Sequence, residues 1–114
     1  MALRAFRQGD VMFYELDEQA VKTLINPREE IRYKADQDII LALGEVTGHK
    51  HRVSSNGVRE FRHNNRRFLG VHGVQSALVK HEEHNTIPLP QGNWEVVIER
   101  EYEDGGKRVR NVAD

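Results

Sequence analysis

Residues 93–103, which read NWEVVIEREYE, carry the clearest secondary-structure signal in this chain of 114 residues. Two sets of side chains alternate along it, mostly apolar in one set and mostly acidic in the other: Trp94, Val96, Ile98, Arg100 and Tyr102 against Glu95, Val97, Glu99, Glu101 and Glu103. A period of two is typical of a β-strand with one buried face. The sequence Asp104-Gly105-Gly106 then predicts a hairpin turn, with residues 107–112 returning antiparallel.

Short runs bounded by turn residues predict further strands on the N-terminal side of this stretch. They cover residues 11–16, 38–43, 50–53, 58–62, 67–71 and 75–80. The run 38–43 is almost entirely apolar, which predicts a strand covered on both faces. Ser54-Ser55-Asn56-Gly57 predicts a hairpin, Asn64-Asn65 predicts a turn, and the segment Pro88–Gly92 predicts another turn.

Residues 17–24 predict one or two helical turns, with Asp17 as N-cap and with Val21, Leu24 and Ile25 facing inward. Many short strands with turn signals roughly every 8–12 residues favour an all-β fold. We therefore expect a single domain over residues 1–114, a small antiparallel β-sandwich or barrel with at most one short helix. A jelly-roll or cupin-like arrangement is among the alternatives.

Composition excludes several classes of function. The chain has no cysteine, which rules out disulfides, thiolate metal sites and cysteine nucleophiles. Its net charge of −1 creates no global attraction to nucleic acid or membrane. No stretch approaches the roughly 20 apolar residues that span a bilayer, and the N-terminus lacks the apolar core of a signal peptide. We expect a soluble, cytoplasmic protein that does not contact membranes.

Four of the six histidines form two close pairs, His49-Lys50-His51 and His81-Glu82-Glu83-His84. On a strand, His49 and His51 point the same way, whereas His81 and His84 converge only if the chain turns between them. Neutral imidazole is a common ligand for zinc, nickel, iron and other transition metals. The pairs predict a divalent metal site (zinc, nickel, iron or manganese) with all four histidines as ligands.

The number of ligands decides the chemistry of such a site. Three histidines with one open position suit a catalytic metal that activates water, and Glu45 or Glu82 would then be the catalytic base. Four histidine ligands suit a closed structural site. The alternatives are a metal-free cluster that binds an anion or transfers protons, or histidines that serve only the structure. His63 and His72 are interpreted as surface residues.

A second candidate site is a basic segment with four arginines in nine residues: Arg59, Arg62, Arg66 and Arg67. Solvated strand faces explain most runs of charge. A functional interpretation is an edge that binds nucleic acid or another anion through phosphate contacts. Such a chain would be a non-catalytic binding module, with nucleic acid or a protein as partner. Pairing of exposed edge strands would instead give a homo-oligomer.

Gly44-x4-His49-x-His51 resembles the start of the first cupin motif, and Pro90-x-Gly92 resembles a turn in the second. The resemblance implies a metal inside a jelly roll. The chain departs from that pattern in the spacing before His49, in a missing glutamate after His51 and in a missing histidine after Gly92. A cupin-like site would therefore recruit His81 or His84.

A broader resemblance rests on four segments spread over most of the chain: Gln8-Gly9-Asp10-Val11, Gly44–Arg52, His81–Pro90 and Arg100-Glu101-Tyr102, with Val112-Ala113-Asp114 at the end. Together they are similar to a group of small uncharacterised phage and bacterial proteins. The resemblance implies that the two histidine segments form one functional unit and that the gene is of phage or prophage origin, so that the cytoplasm would be that of the host cell. It implies no activity, and whether the protein is an enzyme stays open.

Overall fold

The computed structural model describes residues 3–44, 48–103 and 108–111; for 100–103 and 108–111 only the backbone is described. Its strands are β1 (Ala5–Gln8), β2 (Val11–Glu15), β3 (Glu30–Ile31), β4 (Asp38–Leu43), β5 (Lys50–Ser54), β6 (Val58–His63), β7 (Arg66–Lys80), β8 (Ile87–Ile98), β9 (Arg100–Glu103) and β10 (Arg108–Asn111). The helix α1 (Glu18–Leu24) and a 3₁₀ turn (Pro27–Glu29) lie between β2 and β3. The predicted all-β class is confirmed.

The long strand β7 organises an eight-stranded antiparallel sheet. Along one side it pairs with β8, and β8 leads on to β2 and β1. Along its other side, the first half pairs with β6 and the last residues pair with β5. The register against β8 shifts between Val71 and Ser76, where β7 bulges. β7 thus pairs with two separate groups of strands, β6–β3 and β5–β4. The predicted strands 67–71 and 75–80 are both parts of β7.

Two glycines allow the chain to pack closely at this bulge. A Cβ built on Gly73 would lie 2.6 Å from Cα of Gly57, and a Cβ on Gly57 would lie 2.7 Å from the carbonyl carbon of Gly73. The backbone carbonyl of Gly57 also accepts hydrogen bonds from the N–H groups of His72 and Gly73. Contact of this kind excludes any side chain at either position. The loop before β6 is therefore held against the bulge in β7.

The core is formed by the inner faces of six strands. Its members are Val11, Phe13, Ile39, Leu41, Val53, Val58, Leu69, Val71, Ala77, Val79, Leu89, Trp94 and Val96. Trp94 is fully buried, as the alternation in residues 93–98 predicts. The predicted strand 93–103 is interrupted after Ile98, and β9 pairs with β10 in a separate two-stranded sheet. That pairing confirms the antiparallel return, while the predicted turn at 104–106 lies outside the described residues.

The helix begins where the sequence predicts. The Asp17 side chain accepts a hydrogen bond from the N–H of Ala20 at 2.8 Å, which is N-cap geometry. No residue of α1 is fully buried, but Val21, Leu24 and Ile25 are partly covered while Gln19, Lys22 and Thr23 are exposed, so the expected inward face is observed. In the described residues, no helix has the length and apolarity needed to cross a membrane.

Three local predictions are wrong for reasons of tertiary pairing. The strand β4 buries Ile39 and Leu41 but leaves Ile40 and Leu43 exposed, because it packs on the core by one face only. The turn Ser54–Gly57 joins β5 to β6, yet these strands pair with different parts of β7 and form no hairpin. The segment Pro88–Gly92 is part of β8 and not a turn. Asn64 and Asn65, by contrast, form the predicted tight turn, both with positive φ.

Candidate histidine–aspartate site

The structure brings both histidine pairs to one place. His51 lies on the inner face of β5, His49 just before that strand, and His81 and His84 just after β7. The ring centroids of His51 and His81 are 4.3 Å apart, those of His81 and His84 are 4.7 Å apart, and those of His49 and His81 are 5.6 Å apart. The expected convergence of His81 and His84 through a turn at Glu82-Glu83 is therefore observed.

That turn is capped by the ring of His81. Its Nδ1 accepts hydrogen bonds from the backbone N–H groups of Glu83 at 3.0 Å and of His84 at 3.3 Å. A ring nitrogen that accepts carries no proton, so the neutral ring carries its proton on Nε2. His81 therefore presents an N–H group at Nε2.

His51 has the opposite tautomer, which its partner Gln8 imposes. The Gln8 amide nitrogen donates to the carbonyl oxygens of Val79 and Asn85, both at 2.9 Å. Its Oε1 therefore faces Nδ1 of His51, 2.9 Å away, and that nitrogen must donate. Because the proton of the neutral ring is on Nδ1, the lone pair is on Nε2. His51 is fully buried and Gln8 is nearly so.

A buried carboxylate lies next to that lone pair. Asp10, which is 1% exposed, places Oδ1 at 3.5 Å from Nε2 of His51. It occupies the turn between β1 and β2, so it reaches the cluster from the N-terminal hairpin. Burial of a carboxylate is costly unless a cation or hydrogen-bond donors face it. The cluster thus combines imidazole nitrogen and carboxylate oxygen in a water-poor environment.

The other two histidines flank this pair. Nδ1 of His49 lies 3.3 Å from Oε1 of Glu83. Nε2 of His84 is shielded from solvent and makes no hydrogen bond within the part of the chain that the structure describes. The rings of His51 and His84 are nearly parallel, with centroids 5.8 Å apart. Nδ1 of His49 is likewise shielded and makes no hydrogen bond in that part of the chain, although Glu83 lies beside it.

Glu82 links the turn between His81 and His84 to β5. Its Oε1 accepts the backbone N–H of Lys50 at 2.8 Å, and its Oε2 lies 3.1 Å from Nη1 of Arg52. The hydrogen bond from the Lys50 backbone, with the charge of Arg52, holds the pKa of Glu82 below its usual value. Both carboxylate oxygens are engaged, which suits a clamp better than a base. The predicted role of Glu82 as a catalytic base stays a prediction, and Glu45 lies outside the described residues.

As the side chains are placed, no three histidine, aspartate or glutamate residues within the described ranges form a group that could hold a metal ion. The arrangement is a pair, His51 and Asp10, with further histidines around it. Other side chains would have to rotate to become ligands of an ion bound at this pair. The predicted metal site thus stays a prediction.

The four predicted anion-binding arginines have different environments. Arg67 donates to Glu60 through Nε at 2.7 Å, and to the carbonyl oxygens of Leu41 and Ile40 at 2.6 Å each. These carbonyls are at the bulge in β4, where the register shifts between Ile40 and Ala42. Arg67 therefore replaces hydrogen bonds that the bulge removes from the ladder.

Two of the remaining arginines are also paired with carboxylates. Arg62 donates to Glu60 at 2.9 Å, and Arg66 donates to Glu95 through two nitrogens at 2.8 Å each. Arg59 is exposed and forms no such pair within the described part of the chain. Three of the four arginines are thus paired locally, with two carboxylates shared among them. Their predicted role in binding nucleic acid stays a prediction without a further observation to favour it.

Glu60 is the fully buried centre of this network. Burial by itself would raise its pKa, but hydrogen bonds from Arg67, Tyr33 and Arg62 outweigh burial and hold the pKa below its usual value. Burial, together with the hydrogen bond to Glu60, raises the pKa of Tyr33. Glu60 therefore stays ionised and joins β6, β7 and the segment before β4.

His63 and His72 are apart from the cluster, as expected. His72 is exposed, and His63 is half-buried beside Glu29. Sequence reasoning missed Gln8 and Asp10 as site residues. The segment Gln8–Val11 resembles an ordinary hairpin turn, and its one signal was its place among the segments shared with the phage and bacterial group.

Comparison with known proteins gives one match. Residues 7–99 match the family described as a domain of unknown function, DUF8820. No curated protein and no solved structure matches the chain. The matched range includes Asp10 and both histidine pairs, and it agrees with the resemblance to an uncharacterised group of small proteins. The chain belongs to the DUF8820 family.

Proposed function

We propose that the protein binds one divalent transition-metal ion in a closed site built on His51 and Asp10. The observation that carries the proposal is the 3.5 Å between Nε2 of His51 and Oδ1 of Asp10. Two ligand atoms at about 2.0–2.1 Å from zinc, separated by the tetrahedral angle, lie about 3.4 Å apart. The pair is thus spaced as two ligands of one tetrahedral ion.

The surroundings of His51 support this role. A histidine that binds a metal usually donates its other ring N–H to a carbonyl or carboxylate, which fixes the ring and its tautomer. Gln8 supplies that acceptor and is itself fixed by two backbone carbonyls. The lone pair of His51 is therefore oriented before any ion arrives.

The remaining ligands would be His84 and His49. Nε2 of His84 is buried without a hydrogen bond in the described region, and the centroid of its ring lies 5.8 Å from that of His51. His81 is a poorer ligand, because coordination through Nε2 would require removal of the proton that its capping role places there. The proposed set is thus His51, Asp10, His84 and His49, with His81 as a hydrogen-bond donor beside them.

Nitrogen and oxygen donors in a tetrahedral arrangement favour zinc among the metals considered. The ion would tie three segments that are distant in sequence: the turn after β1, β5 and the turn after β7. His51 and Asp10 are closed to solvent, with 0% and 1% of their surface exposed. These features favour a structural metal over a hydrolytic one, because hydrolysis requires an open coordination position.

The test is elemental analysis of tag-free protein with thermal unfolding. Wild type is expected to hold about one metal ion per chain and to lose several degrees of Tm on chelation, because an ion that binds only the folded state stabilises it. Asp10→Asn and His51→Ala are expected to lose the ion, while the control His63→Ala keeps it.

Absence of metal from wild type, even after incubation with zinc, nickel, iron and manganese, would refute metal binding. If wild type holds the metal but its Tm is unchanged when the metal is removed, the structural role is refuted. A hydrolytic role would then be the one to test. The expected cytoplasmic location, phage origin, oligomeric state and macromolecular partners stay predictions.

A further inference from the structure

A cleft of about 700 Å³ is lined by none of the four histidines of the cluster. Its volume is in the range of sites for small organic molecules. Strands β6, β7 and β8 form its floor, and the segments around Ile25 and Glu30 form its wall. No residue of the proposed metal site lines it.

Three residues from adjacent strands form a row across this floor. Arg59 of β6 is paired in register with Gly70 of β7, and Gly70 is paired with Asn93 of β8. Gly70 has no side chain, so His72 and Asn93 lie over its backbone, each within 3.3 Å of where a Cβ would be. Gly70 thus leaves a depression in the floor between the guanidinium of Arg59 and the amide of Asn93.

Arg59 and Asn93 give the cleft hydrogen-bond donors that suit an anion, and Glu30 supplies one acceptor. Arg59 is the one arginine of its segment without a carboxylate partner in the described residues, and its guanidinium offers a planar, two-pronged donor. Oδ1 of Asn93 lies 3.2 Å from Nε2 of His72, which leaves the Asn93 amide N–H groups for a ligand. Glu30 at the wall would accept a hydrogen bond from a hydroxyl or amine.

Apart from Ser55, the rest of the lining is apolar. Ile25, Val58 and Phe61 contribute it, and Gly57 and Gly73 add bare backbone. A flat apolar body would cover these groups while its charged end meets Arg59. We infer that this cleft is a second binding site, for a small organic anion with a carboxylate or phosphate group on a flat apolar body. The inference does not depend on the proposed metal site.

The test uses benzoate and phenyl phosphate as probes and benzamide as the neutral analogue. Each is titrated into ¹⁵N-labelled full-length protein, because glycine amide signals report directly on Gly57, Gly70 and Gly73. The two anions are expected to shift these signals and benzamide to shift them weakly. Whichever anion binds more tightly identifies carboxylate or phosphate as the preferred group.

Variants assign the effect to the arginine. Arg59→Gln is expected to weaken anion binding by about tenfold, the value of one charge-assisted contact. Arg32→Gln, which removes an exposed arginine outside the cleft, is expected to leave it unchanged. The inference is overturned if neither anion shifts the glycine signals, if benzamide binds equally well, or if both variants behave alike. Shifts caused by an oligonucleotide and by neither small anion would also overturn it.

Discussion

The guanidinium of Arg67 donates to the carbonyl oxygen of Leu41 at 2.6 Å and so ties β7 to the bulge in β4. The same side chain neutralises Glu60, which is fully buried. Arg67→Met removes both interactions and leaves a buried carboxylate with fewer partners. We expect a loss of about 3–5 kcal/mol in the free energy of unfolding, as for other broken buried pairs. Urea denaturation measures it.

The control for this substitution is Arg66→Met. Arg66 also makes a two-pronged ion pair, with Glu95, but its side chain is 45% exposed. Exposed pairs contribute about 1 kcal/mol or less. Equal losses in the two variants would show that burial of the Glu60 network does not matter.

The Glu60 network also predicts how stability depends on pH. Its folded pKa is below the ordinary value of 4.5, so the unfolded chain binds more protons in acid. The stabilisation is complete above the unfolded pKa and is lost as pH falls through the folded pKa. We expect the difference in unfolding free energy between wild type and Glu60→Gln to be largest near neutral pH and to shrink in acid. A difference that is constant with pH would contradict this.

Gln8 predicts a measurable effect on metal affinity. Gln8→Ala removes the acceptor for the Nδ1 proton of His51 without removing a proposed ligand. Loss of such an outer partner usually weakens metal binding about 10–100-fold. Competition with a chromophoric chelator gives the affinity, and Gln19→Ala on the exposed helix is the control. Unchanged affinity in a folded Gln8→Ala protein would remove His51 from the ligand set.

The turn between β6 and β7 predicts a contrast between two substitutions at one position. Asn65 has φ of 63°, in the left-handed region. Asn65→Val is expected to cost about 1–3 kcal/mol of strain, since a β-branched residue disfavours that conformation. Asn65→Gly is expected to retain or raise stability, because Asn-Gly is the preferred pair for this turn. Thermal unfolding of both variants checks the contrast, which a similar Tm in each would contradict.

Local patterns predicted the strands correctly where one face is buried. Alternation identified the end of β8 around Trp94, and Asp17 identified the start of the helix, because each signal depends on neighbours in sequence. Pro88 and Pro90 misled the prediction. They fit in β8 because β2 pairs only with residues 94–98 of that strand, so in the described structure the preceding part has an open edge. A proline without an N–H group is tolerated there.

The site was also predictable in part, because the spacing of the histidines is a signal between neighbours in sequence. The spacing of His49 and His51, and of His81 and His84, predicted two converging pairs, and the rings do meet. Asp10 was not predictable, because its position beside Gly9 is typical of an exposed turn. Only the pairing of distant strands places it against His51. The tautomers of His51 and His81 likewise depend on Gln8 and on the turn geometry.

The contact between Gly57 and Gly73 has an evolutionary consequence. A Cβ atom on either glycine would collide with the backbone of the other. Neither glycine can therefore be substituted while β7 keeps its bulge. Members of the family that share this architecture are expected to retain both glycines, whether or not they retain the histidines. The two glycines would thus identify relatives with the same fold, and the histidines would identify those relatives that also share the site.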